Sequence, residues 1–189
     1  NMDSGLKRFI TYDSLSEFSF HVSGPLMMVY WLRDLKFDYI ELAILINVSQ
    51  VLGLFSMRYW GKRIDNNGSY STIRFTSFCI GIFPMFWVGI YYLPNELILA
   101  GSIIIASLAS LMFSGRALAL DNRLYEHMKN KKMIKVASKR VFCRGLSIFI
   151  GSLIGGLLPR NESILSNYIE LDTVIHAVMG FSTVLRLGV

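Results

Sequence analysis

Two uncharged stretches limit what this chain can fold into. Residues 75–95 contain no Asp, Glu, Lys or Arg, and neither do residues 97–115. The hydrocarbon core of a bilayer is about 30 Å thick and takes roughly 20 helical residues to cross. Each stretch is therefore long enough to span it. Residues 42–57 and 145–159 are shorter uncharged runs with apolar flanks. Two weaker segments complete the set: 15–32, interrupted by Glu17 and His21, and 173–185, interrupted by His176. The expected fold is an all-α membrane protein, a single six-transmembrane-helix bundle over residues 1–189. Its spans are expected at about 15–35, 39–60, 72–94, 96–121, 138–159 and 172–189. A closed barrel would alternate apolar and polar residues, and a run such as Ile103-Ile104-Ile105 does not.

Composition agrees. Of 189 residues, 53% are hydrophobic and 17% charged, against about 25% charged in a soluble domain. Such a chain is too apolar to stay disordered. Two cysteines, both in apolar stretches, exclude a disulfide scaffold. The sequence has no H-E-x-x-H, no P-loop lysine pattern and no G-x-S-x-G, so neither enzyme chemistry nor a cofactor is expected. His21, His127 and His176 fall at different depths, so no metal site is expected. The start of the chain has one feature of a signal peptide, the basic pair Lys7-Arg8. Asp13 and Glu17 follow it, and the apolar region is late and bulky, so the first segment reads as a retained span.

Lys and Arg favour the cytoplasmic side of a membrane. With the N-terminus inside, 14 of the 19 basic residues fall in cytoplasmic segments, eight of them between Arg123 and Arg144. The outer connections hold Arg33, Lys36 and Arg160, and collect Asp34, Asp38, Glu41, Glu96, Glu162, Glu170 and Asp172. The net charge of +6 is thus a topology signal, with no nucleic acid implied. The expected location is the cell membrane, multi-pass, with the N-terminus cytoplasmic. Anionic lipid headgroups are a further reading of the basic connection.

The connection after the second span reads Gly61-Lys62-Arg63-Ile64-Asp65-Asn66-Asn67-Gly68. Glycines suit a tight turn there, and the carboxylate of Asp65 suits a helix N-terminus or a neighbouring cation. On Gly61, Asp65 and Gly68 the chain resembles the major facilitator superfamily of secondary transporters, which carries a G-x-x-x-D-x-x-G loop between its second and third helices. Asn66 and Ser69 stand where that family usually has basic residues. Gly151-Ser152-Leu153-Ile154-Gly155-Gly156 resembles the family's glycine-rich fifth-helix element. Independently, Gly151, Gly155 and Gly156 form a small-residue helix-packing motif.

The resemblance implies one six-helix half of a twelve-helix transporter, read as the C-terminal half. An N-terminal half, with Met2 as the start, stays open, and so does a half-size protein that pairs with another copy. The implied partners are a small-molecule substrate, the lipid bilayer and a second six-helix half. The implied activity is secondary active transport by alternating access, ion- or proton-coupled. The alternative is a membrane scaffold or assembly subunit that kept the fold without transport.

Polar groups at membrane depth are costly and hence candidates for function. Asp13, Glu17 and His21 recur every four residues, on one helix face. His21 lies near mid-membrane, about 18 Å from Arg33 at the outer boundary. Glu17 and His21 are therefore candidates for proton coupling, or else a hydrogen-bonded core pair. Gly24-Pro25 interrupts the same span, as Pro84 interrupts the third. Further substrate or coupling candidates are Tyr30, Asn47, Gln50, Ser107, Ser110 and Ser114. Asn47 and Gln50 also suit bonding between helices, and the serine stripe suits close packing. Arg116 is expected to reach the cytoplasmic boundary.

Overall fold

The computed structural model describes residues 4–128, 133–157, 179–180, 182–184, 186 and 188. Among them there is no strand. Helix α1 covers Ser4–Val29 and runs into a π-helical turn at Tyr30–Asp34. Helices α2 (Tyr39–Asn67), α3 (Ser69–Ile90), α4 (Asn95–Met128) and α5 (Met133–Leu157) follow. The chain divides into two compact units, residues 29–123 and residues 1–28 with 124–189.

Helices α2, α3, α4 and α5 are long and apolar enough to cross a membrane. Their bounds contain or closely track the second to fifth expected spans. Helix α1 is not among the four, because Asp13, Glu17, His21 and several serines dilute its apolar content. It also starts eleven residues before the expected first span. Most of the expected sixth span, 172–189, lies outside the described residues, as does the connection before it. Its described part is helical. The basic connection expected from Arg123 to Arg144 is mainly helix: Arg123 belongs to α4, and Lys135, Lys139, Arg140 and Arg144 to α5.

In the unit of residues 29–123, local chemistry sets the joints. Leu35 N–H donates to Tyr30 O at 3.0 Å, closing the π turn, and Lys36 takes a φ of 56°. Helix α2 then starts on a reciprocal cap: Glu41 N–H donates to Asp38 Oδ1 (2.7 Å) and Asp38 N–H to Glu41 Oε2 (2.9 Å). That arrangement satisfies two backbone donors that a helix start leaves open. Gly68, at φ 80° and ψ 157°, separates α2 from α3; only glycine adopts that region without strain. Arg63 clamps the joint, with its guanidinium 4.5 Å from the centre of the Phe75 ring.

Helices α2 and α4 approach closely through small residues. A Cβ on Gly53 would strike Ser110 Oγ and lie 2.8 Å from Ser114 Oγ. The Trp60 indole lies on Gly115, and its Nε1–H donates to Leu111 O at 2.8 Å. Pro84 is accommodated inside α3.

Candidate functional site

The charged groups of the other unit gather where α1 meets α5. Arg140 Nε donates to Asp13 Oδ2 at 2.7 Å, with both side chains buried. One turn on, Arg144 Nη2 lies 3.0 Å from Glu17 Oε1. Further along, the Gly151 position faces Phe18 O and His21 Cβ, at 2.8 and 3.3 Å from where a Cβ would stand. Gly155 lies on Val22, whose carbonyl oxygen a Cβ would strike. Residue numbers rise together along both helices, so α1 and α5 run parallel.

The sequence explains this seam. Asp13 and Glu17 are four apart, as are Arg140 and Arg144, and Gly151 and Gly155. Such spacings keep residues on one helix face. Charge pairs join one end of the seam, and bare backbone contact joins the other. Two carboxylates in a helix interior are costly unless each is paired, and here each has an arginine. Arg140 also lies 5.6 Å from the centre of the Phe9 ring.

His21 adjoins the second pair. Its Nδ1 is 2.9 Å from Glu17 O and 3.7 Å from Glu17 Oε2. A main-chain carbonyl only accepts, so Nδ1 carries the hydrogen and Nε2 is the open position. The side chains of His21 and Arg144 are 36% and 44% exposed, while that of Glu17 is 6% exposed. Deeper along α1, Ser182 Oγ bonds Ser19 O (3.1 Å) and Ser23 Oγ (3.2 Å), and Arg186 Nη2 donates to Ser23 Oγ at 2.8 Å. The Arg186 guanidinium lies 4.9 Å from the centre of the Phe20 ring.

Of the substrate and coupling candidates, the structure brings Glu17 and His21 together. Tyr30 is fully buried, and its hydroxyl donates to Trp87 O at 2.8 Å, beside the tilted Trp31–Trp87 ring pair. It ties the π turn to α3, a structural role. Asn47 and Gln50 are exposed, and Asn47 Nδ2 donates to Ala43 O of its own helix at 2.7 Å. This bond is within one helix, not between two. Ser110 and Ser114 face Gly53 and serve close packing. Ser107 is buried, and its Oγ has no hydrogen-bond partner among the described residues.

The loop motif is rebuilt by the structure. Gly61 and Asp65 lie within α2, and Gly68 alone makes the turn. Asp65 is exposed in the last turn of α2, and α3 starts at Gly68 without a side-chain cap. The helix-start role expected of Asp65 fails because α2 continues to Asn67. Gly151 and Gly155 pack as expected, whereas a Cβ on Gly156 would meet nothing within 4 Å. One residue along a helix turns the side chain about 100° away. Arg116 is buried against the protein within α4, which runs on to Met128.

Sequence reasoning missed the arginines. Arg140 and Arg144 fall inside the expected fifth span but count there only toward the basic connection, although their four-residue spacing matches that of Asp13 and Glu17. Among the described residues no group of His, Cys, Asp and Glu could hold a metal ion. No family model, curated protein or solved structure matches the chain.

Proposed function

We propose that this chain is part of a multi-pass secondary transporter of the cell membrane that moves a small solute by alternating access, coupled to protons or another ion. The observation that carries the reading is the paired-charge seam between α1 and α5. Helix α5 is apolar and long enough to cross a bilayer, and α1 runs parallel to it. Three long helices separate them in the chain. If each crosses once, α1 and α5 must point the same way. The parallel seam thus supports α1 as a further span despite its polarity. A span that keeps two acids and a histidine at a helix interface carries groups that membranes retain for pathways and proton relays. The cytoplasmic N-terminus follows from the excess of Lys and Arg on alternate connections.

The test uses the full protein in vesicles that enclose a pH-reporting dye, challenged with a panel of sugars, amino acids, organic anions and cations. Solute-dependent proton movement that is lost in His21→Gln, while downhill exchange persists, is the expected result. A protein that moves no member of the panel would be a scaffold that kept the helical domain.

A further inference from the structure

The seam holds two arginines that differ in one respect. Arg140 is buried under Phe9 and committed to Asp13. Arg144 is nearly half exposed, with Nη2 directed at Glu17. A guanidinium has five donors in a planar fork that matches a carboxylate. Next to it, His21 presents a half-exposed ring whose Nε2 is the open position.

We infer that His21 and Arg144 form a binding site for a small carboxylate, made available when His21 takes a proton. The inference rests on the transporter reading and names its substrate class. Glu17 is the switch. Its Oε1 faces Arg144 at 3.0 Å, and its Oε2 faces His21 Nδ1 at 3.7 Å. While the ring is neutral, the carboxylate belongs to Arg144. A proton at Nε2 makes the ring a second cation beside Arg144, and Glu17, with one oxygen toward each, balances only one of the two. The remaining positive charge is then open to a carboxylate from solution, which the exposed part of the Arg144 fork can bind. One proton and one monoanion enter together, so the charge of the seam is unchanged by the pair. That equality favours uptake into low dielectric, where an uncompensated charge is costly.

The surroundings suit the assignment. Charged groups that the described residues bring to this face include Asp13 and Glu17 on α1 and Arg140 and Arg144 on α5, with Arg186 bonded to Ser23. Gly24, one turn past His21, and Gly145, beside Arg144, both leave room. A Cβ at either would meet nothing within 4 Å. Gly151 lets the α5 backbone close on His21 Cβ, and the Glu17 carboxylate, facing both, links the ring to the arginine.

The test is equilibrium binding of labelled acetate, benzoate and succinate to the full protein in lipid nanodiscs, with choline and phosphate as comparisons. Measurements at about pH 5.5 and about pH 8 bracket the range in which imidazole changes charge. The expected result is saturable binding of at least one carboxylate, tighter at the lower pH by about tenfold, within the usual span of linked binding effects. Arg144→Lys keeps a positive partner for Glu17 but loses the fork, and should weaken carboxylate binding about tenfold or more with the melting temperature preserved. His21→Gln should bind with no pH dependence. Binding of no carboxylate at either pH, a preference for choline or phosphate, or unchanged affinity in Arg144→Lys would overturn the site. Nanodisc binding involves no flux, so its failure is separate from failure of the transport assay.

Discussion

Asp13 and Arg140 are 127 residues apart in the chain, yet Arg140 Nε donates to Asp13 Oδ2 at 2.7 Å with both side chains buried. Glu17 and Arg144 repeat the separation one turn later. The same faces then close on Gly151 and Gly155. Sequence spacing, helix period and direct backbone contact agree on one register. A slip of one residue would turn both acids away from their arginines and lift the glycines off the α1 backbone.

The buried pair should reveal itself in stability. Removing one partner strands a charge in the interior, at a cost of about 3–5 kcal/mol. Asp13→Ala is expected to lower stability by that order, read from thermal or denaturant unfolding in detergent. Replacing both partners, as Asp13→Leu with Arg140→Met, should recover most of the loss. A double variant as unstable as the single one would show that the pair does more than neutralise itself.

The glycines give a contrast between neighbours. Gly155→Leu drives a side chain into Val22 O and should destabilise by about 1–3 kcal/mol, as overpacking does. Gly156→Ala points into open space and should be neutral or slightly stabilising, since alanine is the better helix former. Melting temperatures of the two variants, prepared in parallel, check both. Equal losses would mean that α5 is rotated relative to α1 from the register described.

How much of this was legible in the sequence depended on the physical signal. Uncharged runs identify α2 to α5, because crossing length and hydropathy are additive along a chain. The shared face of Asp13, Glu17 and His21 was legible from their four-residue spacing. Their partners were not, because pairing residues 127 apart needs the three-dimensional register. A dense run of Lys and Arg also reads first as a topology signal, which hid the pairing of Arg140 and Arg144 although the expected fifth span covers both. Gly61 and Asp65 misled for the opposite reason. A G-x-x-x-D pattern suggests a turn, yet glycine is tolerated within a helix that the surrounding residues favour. The end of α4 lies beyond the uncharged run, and the burial of Arg116 within it depends on packing that the run does not reveal.

Gly68 should be the sensitive position of the loop motif. Its backbone, at φ 80° and ψ 157°, lies in a region that costs other residues about 1–3 kcal/mol. Gly68→Ala is expected to destabilise by that amount. Gly61→Ala, within the helix and with open space around it, should be tolerated or improve stability. Asp65→Asn should leave folding unchanged, because Asp65 is exposed and caps no helix. Any effect of Asp65→Asn on transport rate would then report conformational switching and not the stability of the fold. The three variants together separate backbone strain from charge.

Orientation can be read directly from accessibility. Helices α3 and α4 meet at Tyr91–Pro94, just before Glu96 in the first turn of α4. The α4–α5 connection contains Lys129, Lys131 and Lys132. One apolar helix separates the two connections, so they should lie on opposite sides of the bilayer. The basic one should be cytoplasmic, because Lys and Arg are retained there during insertion. Cys79 and Cys143 are free thiols and must first be replaced. In the resulting background, Glu96→Cys should react with a membrane-impermeant thiol reagent added to intact cells. Lys131→Cys should react once the cells are permeabilised and not before. Tyr91 and Tyr92, stacked edge to face beside Glu96, belong to the aromatic class that membranes gather at their interfaces, so Glu96 should be close to water. Labelling of both positions in intact cells would mean that α4 does not cross. Labelling of Lys131→Cys alone would invert the topology, and would place the Glu17–Arg144 pair nearer the outer face.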